Sequence, residues 1–192
     1  PRKVPMKIFP AVHYSMGGLW VDYDQMTNIP GIFAAGECDY SQHGANRLGA
    51  NSLLSAIYGG MVAGPKAIEY IEGLEKRVDD MPSSLFETYQ KEEEKKFEEL
   101  LKMDGTENAY QLHQELGQWM TDNVTVVREN DKLLKTDEKL QELLERWENI
   151  SVNDTSKWSN QGVMFTRQLK NMIHLARVIT IGAYKRDESR GA

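Results

Sequence analysis

The chain has 192 residues, a formal net charge of −6 and one cysteine. This length suits one generous domain or two small ones. The acidic balance excludes a sequence-independent binder of nucleic-acid backbone. The lone Cys38 excludes a disulfide framework, a self-contained iron–sulfur cluster and a cysteine-rich zinc site.

No apolar run approaches the roughly 20 residues needed to span a bilayer, and no signal peptide is visible. A reducing cytosolic setting fits, and any membrane association has to come through a partner. Taken in order, the first 54 residues are rich in glycine, aromatics and short apolar runs. Val12-His13-Tyr14 and Leu19-Trp20-Val21 read as short strands around a Gly17-Gly18 turn. Ile32-Phe33-Ala34-Ala35 reads as a buried strand between Pro30-Gly31 and Gly36. A helix is expected from Asn51-Ser52, both good N-caps, to about Gly73. Its glycines at 59, 60 and 64 weaken it intrinsically, so packing has to hold it.

The character changes near Val78. Asp79-Asp80-Met81-Pro82-Ser83-Ser84 reads as a linker and cap, and everything beyond is helical. Leu85, Tyr89, Phe97 and Leu100 punctuate a charged run from Lys91 to Glu99, which suits a solvated helix face. Three apolar stripes follow at helical spacing: Ala109 to Met120, Leu133 to Ile150, and Phe165 to Ile179. The expected fold class is therefore α+β, with a short-stranded piece over 1–78 and an antiparallel helical bundle over 79–192.

The chemistry concentrates early. His43-Gly44-Ala45-Asn46-Arg47-Leu48-Gly49-Ala50-Asn51-Ser52-Leu53-Leu54 sets one permanent cation among small residues, just before a helix start. A guanidinium fork matches a carboxylate through two parallel hydrogen bonds. A helix N-terminus adds free amides and a positive dipole end. Upstream lie His13-Tyr14-Ser15-Met16-Gly17-Gly18 and Ala34-Ala35-Gly36-Glu37. Together they outline a site for an anionic substrate beside a large polar cofactor. His43 is read as shaping the loop that presents Arg47. His113, His174 and the Met and Trp stripes, including Trp119 and Trp147, are read as structural.

Thr27-Asn28-Ile29-Pro30-Gly31-Ile32-Phe33-Ala34-Ala35-Gly36-Glu37 resembles the second flavin motif of FAD-dependent oxidoreductases. With His13 to Gly18 before it and His43 to Leu54 after it, the chain resembles the flavoprotein subunit family of succinate dehydrogenases and fumarate reductases. Each motif alone is weak, but three in order and spacing are specific. The resemblance is close over residues 13 to 64. It returns in Arg186-Asp187-Glu188-Ser189-Arg190-Gly191-Ala192, where Arg190 suits structural ion pairs, and is loose between.

The resemblance implies FAD as cofactor and succinate or fumarate as the dicarboxylate. It makes His13 and Arg47 the substrate-binding residues. Glu37 accepts a hydrogen bond from a ribityl hydroxyl, and Ser52 and Leu53 offer backbone amides to the flavin pyrimidine ring. It also implies an iron–sulfur partner subunit, an indirect membrane anchor, and a place on the cytoplasmic face of the cell membrane. The chain lacks the GxGxxG pyrophosphate fingerprint and begins with Pro1. It is therefore read as the last part of an FAD-binding domain plus most of a C-terminal helical domain. The proton-delivering arginine and the histidine that often holds FAD covalently are expected upstream, so no catalytic residue is assigned here. L-aspartate oxidase shares His13, Glu37, Arg47 and Ser52 and is the alternative within the flavoproteins. A non-catalytic helical interaction module is the alternative outside them.

Overall fold

The computed structural model describes residues 4–5, 13–39 and 43–188. The chain divides into two compact units, the first ending at Met81 and the second beginning at Pro82.

In the first unit the expected strands are reduced to single bridges. Leu19 pairs in parallel with Asp39, Val21 pairs antiparallel with Thr27, and Met26 pairs antiparallel with Phe33. Side chains have taken the amides that longer ladders would use. The Asp22 carboxylate accepts from the Asp24 and Met26 amides at 2.9 and 3.0 Å, and the Thr27 hydroxyl accepts from the Ile29 amide at 3.1 Å. Such local bonds compete directly with sheet pairing. Of the expected buried strand only Ala34 is fully buried, while Ile32 is 47% exposed. Val12 lies outside the described residues.

Helix α1 spans Asn51–Glu72 and stops at Gly73. Its N-cap is neither Asn51 nor Ser52 but Ala50, in the left-handed region at φ 66°. This conformation costs a non-glycine residue roughly 1–2 kcal/mol. The chain must reverse sharply there to aim the helix, so the first good capping side chain already lies inside the first turn. Pro65 sits within α1 and leaves one carbonyl without its helical donor. Within α1 only Gly59 is buried. A Cβ at Gly59 would come within 3.1 Å of the Ala35 Cβ, so the missing side chain lets α1 lie close on the Ala35 segment.

The second unit contains α2 (Ser83–Leu101), α3 (Ala109–Asn123), α4 (Asn130–Trp147) and α5 (Gln161–Lys185). Asn108 caps α3 by accepting from the Tyr110 amide, and Asn160 caps α5 by accepting from the Val163 amide. Cross-helix bonds fix the directions. Arg146, near the end of α4, reaches Glu107 just before α3. Trp147 donates its indole N–H to the Thr166 carbonyl early in α5, whereas Asp137 early in α4 meets Arg177 late in α5. Helix α4 therefore runs antiparallel to both neighbours, as the bundle reading requires. Leu112, Leu140, Leu143, Ile150, Leu169 and Ile173 form its fully buried centre. The last stripe overreaches at its end, since Ile179 is more than half exposed, and Tyr89 in α2 is more than half exposed as well.

Candidate functional site

Three segments of the first unit converge before α1. The His13–Gly18 loop is tied to the flavin-like motif by two backbone donors. The Ser15 amide donates to Glu37 Oε1 at 2.8 Å, and the Leu19 amide donates to the Cys38 carbonyl at 2.8 Å. Gly18 is required for this approach, because a Cβ there would collide with the Cys38 carbonyl oxygen. Gly36 takes a φ of 85° and turns the chain out of the Ala34-Ala35 segment into a short 3-10 helix, Gly36–Cys38. That turn packs against α1, with Gly36 beside Ala56.

Arg47 belongs to a stack of side chains. Its guanidinium carbon lies 4.8 Å from the centre of the Tyr14 ring. His43 meets the same ring edge-on at 5.6 Å between centroids. His43 Nε2 in turn lies 3.0 Å from the Ser55 hydroxyl, which donates to the Ser52 carbonyl in the first turn of α1. Arg47 Nη1 donates to the Leu48 carbonyl at 3.1 Å. Its Nε is buried and has no acceptor among the described residues. A buried, unpaired donor on a cation is costly.

The start of α1 is similarly open. Ala50 has no side-chain oxygen to cap it, so the first-turn amides around Ser52 and Leu53 have no side-chain acceptor from the cap. Leu53 is 74% exposed, and Ser52 is half-buried. A hollow of about 330 Å³ next to it is lined by His43, Asn51, Leu54, Ser55 and Tyr58. His13 is exposed and makes no hydrogen bond or ion pair with another described residue. Glu37 is brought to the His13 loop through Ser15, while Arg47 is brought to it through Tyr14. No direct bond links His13 with Arg47 among the described residues. Tyr14 and Ser55 are the members that motif reasoning missed. Only the adjacency of Tyr14 to His13 offers a hint of it, and nothing in the spacing marks Ser55. His113 packs edge-on against Phe165 in the second unit, as its structural reading requires. Arg190 lies outside the described residues. Among the described residues no group of three or more His, Cys, Asp or Glu side chains is placed to hold a metal ion.

A family model described as an FAD binding domain matches residues 1–53. A second, described as the fumarate reductase flavoprotein C-terminus, matches residues 113–192. The succinate dehydrogenase flavoprotein subunit of Bacillus subtilis (strain 168) is 75% identical over 192 residues, covering 100% of this chain. The chain belongs to the succinate dehydrogenase and fumarate reductase flavoprotein family.

The similarity extends across family members of both kinds. The fumarate reductase flavoprotein subunit of Escherichia coli (strain K12) is 34% identical over 197 residues and matches 100% of this chain. Among solved structures, a variant of the E. coli quinol fumarate reductase flavoprotein FrdA superposes with a TM-score of 0.87 at 34% identity. It covers 98% of this chain and 32% of that one. The Mycobacterium smegmatis Sdh1 complex in the apo form gives 0.80 at 34% identity, covering 93% of this chain and 30% of that one. The chain spans about a third of the length of the curated relatives it matches, 33% of the B. subtilis protein and 31% of the E. coli one. The part of the E. coli structure that superposes shares the fold seen here, largely helical with few strand pairings among the described residues.

Proposed function

We propose that this chain supplies the dicarboxylate-binding and flavin-facing part of a flavoprotein that interconverts succinate and fumarate. The observation that carries this reading is Arg47, stacked on Tyr14 a few residues before a helix start with no side-chain cap. Arg47 would clamp one carboxylate of the dianion through its planar guanidinium. His13, exposed and free of described partners, would donate to the other carboxylate. Holding both ends restricts the substrate to one orientation, which is the protein's main contribution to such a reaction.

The residues also suit FAD. Glu37 spends one carboxylate oxygen on Ser15, leaving Oε2 for a ribityl hydroxyl. The amides near Ser52 and Leu53 would face the pyrimidine end of the ring. Amides and the dipole of α1 favour negative charge at that point and so favour the reduced cofactor. When bound, FAD would supply the hydride acceptor or donor. The arginine that moves the proton is proposed to lie outside these residues, as is the histidine that often holds the flavin.

Electrons would pass to an iron–sulfur subunit attached to a membrane anchor. The protein would then be peripheral, on the cytoplasmic face of the cell membrane. Among the described residues no helix is long and apolar enough to cross a membrane. The 75% identical B. subtilis relative, a succinate dehydrogenase flavoprotein subunit, favours this reading over an L-aspartate oxidase. The test is Arg47→Lys in the flavoprotein subunit carrying these residues, assayed by succinate-dependent dye reduction. Lysine keeps the charge and loses the fork, at a cost on the order of 2 to 4 kcal/mol of transition-state binding. Undiminished turnover with unchanged KM would sink the proposal.

A further inference from the structure

We propose that Tyr14 is a positioning residue for Arg47 and, through the peptide it shares with His13, sets the span between the two carboxylate-binding groups. The inference rests on the roles proposed above for His13 and Arg47.

An arginine side chain has four flexible torsions and, left alone, would spend most of its time misaligned with a substrate carboxylate. Two contacts remove that freedom here. Nη1 is tethered to the Leu48 carbonyl, which fixes one tip of the fork. The face of Tyr14, 4.8 Å from the guanidinium carbon, fixes its plane. One tether alone would let the fork swing about the Nη1 bond. The ring blocks that swing and leaves Nε as the donor without an acceptor among the described residues.

The ring is itself held. His43 abuts it edge-on, and the Ser55 hydroxyl next to His43 Nε2 anchors this contact to the first turns of α1. The Tyr14 hydroxyl is buried without a hydrogen-bond partner among the described residues. The hydroxyl therefore adds no described anchoring bond, and the ring face is the part that acts on Arg47. Because Tyr14 directly follows His13, any shift of the ring relative to Arg47 also shifts His13. The reach between the two donors is thus set by one residue's packing. Selectivity for the length of the dicarboxylate follows from that reach.

The test uses the flavoprotein subunit that carries these residues, reconstituted with FAD. Replacing Tyr14 with phenylalanine and then with progressively fluorinated phenylalanines keeps the shape and drains negative charge from the ring face. Relative to Tyr14→Phe, KM for succinate is expected to climb stepwise with fluorine number, by about three- to thirty-fold at full substitution. The change in kcat is expected to be much smaller. Tyr14→Leu is expected to raise KM as well and to weaken discrimination between succinate and the three-carbon malonate. A flat KM across the fluorinated series overturns the proposal, whether or not the leucine variant folds. A ring that merely fills space would give that flat series. If Arg47→Lys is harmless, the substrate reading itself has failed. If it is damaging while the fluorinated series is flat, only the role of Tyr14 has failed.

Discussion

Arg146, near the end of α4, holds both carboxylate oxygens of Glu107 across 39 residues of sequence. Its Nε donates to Oε1 at 2.8 Å and its Nη2 to Oε2 at 3.1 Å. Its remaining arm, Nη1, donates to Glu115 Oε2 at 2.8 Å, and Lys139 donates to the other Glu115 oxygen at 2.7 Å. Two carboxylates and two cations thereby clasp α3 and the segment before it to α4.

This clasp sets an acid limit on the helical unit. The Arg146 hydrogen bonds hold Glu107 below the usual glutamate range, and Lys139, followed by Arg146, does the same for Glu115. A carboxyl depressed in the folded state contributes stability that is fully present above its unfolded pKa, about 4.3. That stability is lost as the pH falls through the depressed folded values. Thermal unfolding followed by circular dichroism from pH 7 down to pH 3 is expected to show a stable plateau and then a decline below about pH 4.3. Arg146→Ala is expected to cost about 1 to 2 kcal/mol at pH 7, after allowing for partial exposure. It is also expected to flatten the decline, and an equally steep decline in that variant would contradict this account.

Trp147 is expected to be sensitive to the loss of its indole N–H. Its indole nitrogen donates to the Thr166 carbonyl at 2.7 Å in a buried setting, and Lys170 lies 4.1 Å over its ring. Trp147→Phe removes the indole donor and leaves a small void in the core, while the carbonyl keeps its helical position in α5. The cost is about 1 to 3 kcal/mol. A urea midpoint indistinguishable from that of the unaltered chain would show that the bond contributes nothing.

Limited proteolysis is expected to cut first between Glu75 and Ser84. All residues from Ile71 to Pro82 are exposed, and the chain passes from the first compact unit to the second between Met81 and Pro82. The C-terminal product is expected to keep a helical circular dichroism spectrum. A first cut inside 108 to 150, with 75 to 84 resistant, would refute the proposed division into 1–78 and 79–192.

The 192-residue chain by itself is expected neither to hold FAD tightly nor to oxidise succinate. Dinucleotide folds grip FAD largely through pyrophosphate on glycine-rich amides, and the GxGxxG fingerprint is not in this sequence. Glu37 and the amides near Ser52 touch too little of the cofactor to offset its ordering. Titration of FAD into the purified chain, followed by flavin fluorescence, checks this. Stoichiometric binding at micromolar concentration would show that the grip lies elsewhere.

Helical spacing alone located the bundle. A buried stripe repeats every three to four residues whatever it packs on, so Leu112, Leu140, Leu143, Leu169 and Ile173 announce themselves. The three motifs likewise needed no structure, because glycines and a fixed cation at set spacing carry their chemistry in the order of residues. The strands around Leu19 and Phe33 were not legible, because pairing depends on which acceptor reaches each amide first. Here the acceptors were the side chains of Asp22 and Thr27. The helix starts at Asn51 as its composition suggests, yet the reversal at Ala50 places the cap one residue before the good capping side chains. Only the tertiary structure put Tyr14 beneath Arg47 and His43 against Ser55. Those contacts join residues 33 and 12 positions apart, and no local pattern encodes a meeting that the packing of separate segments decides.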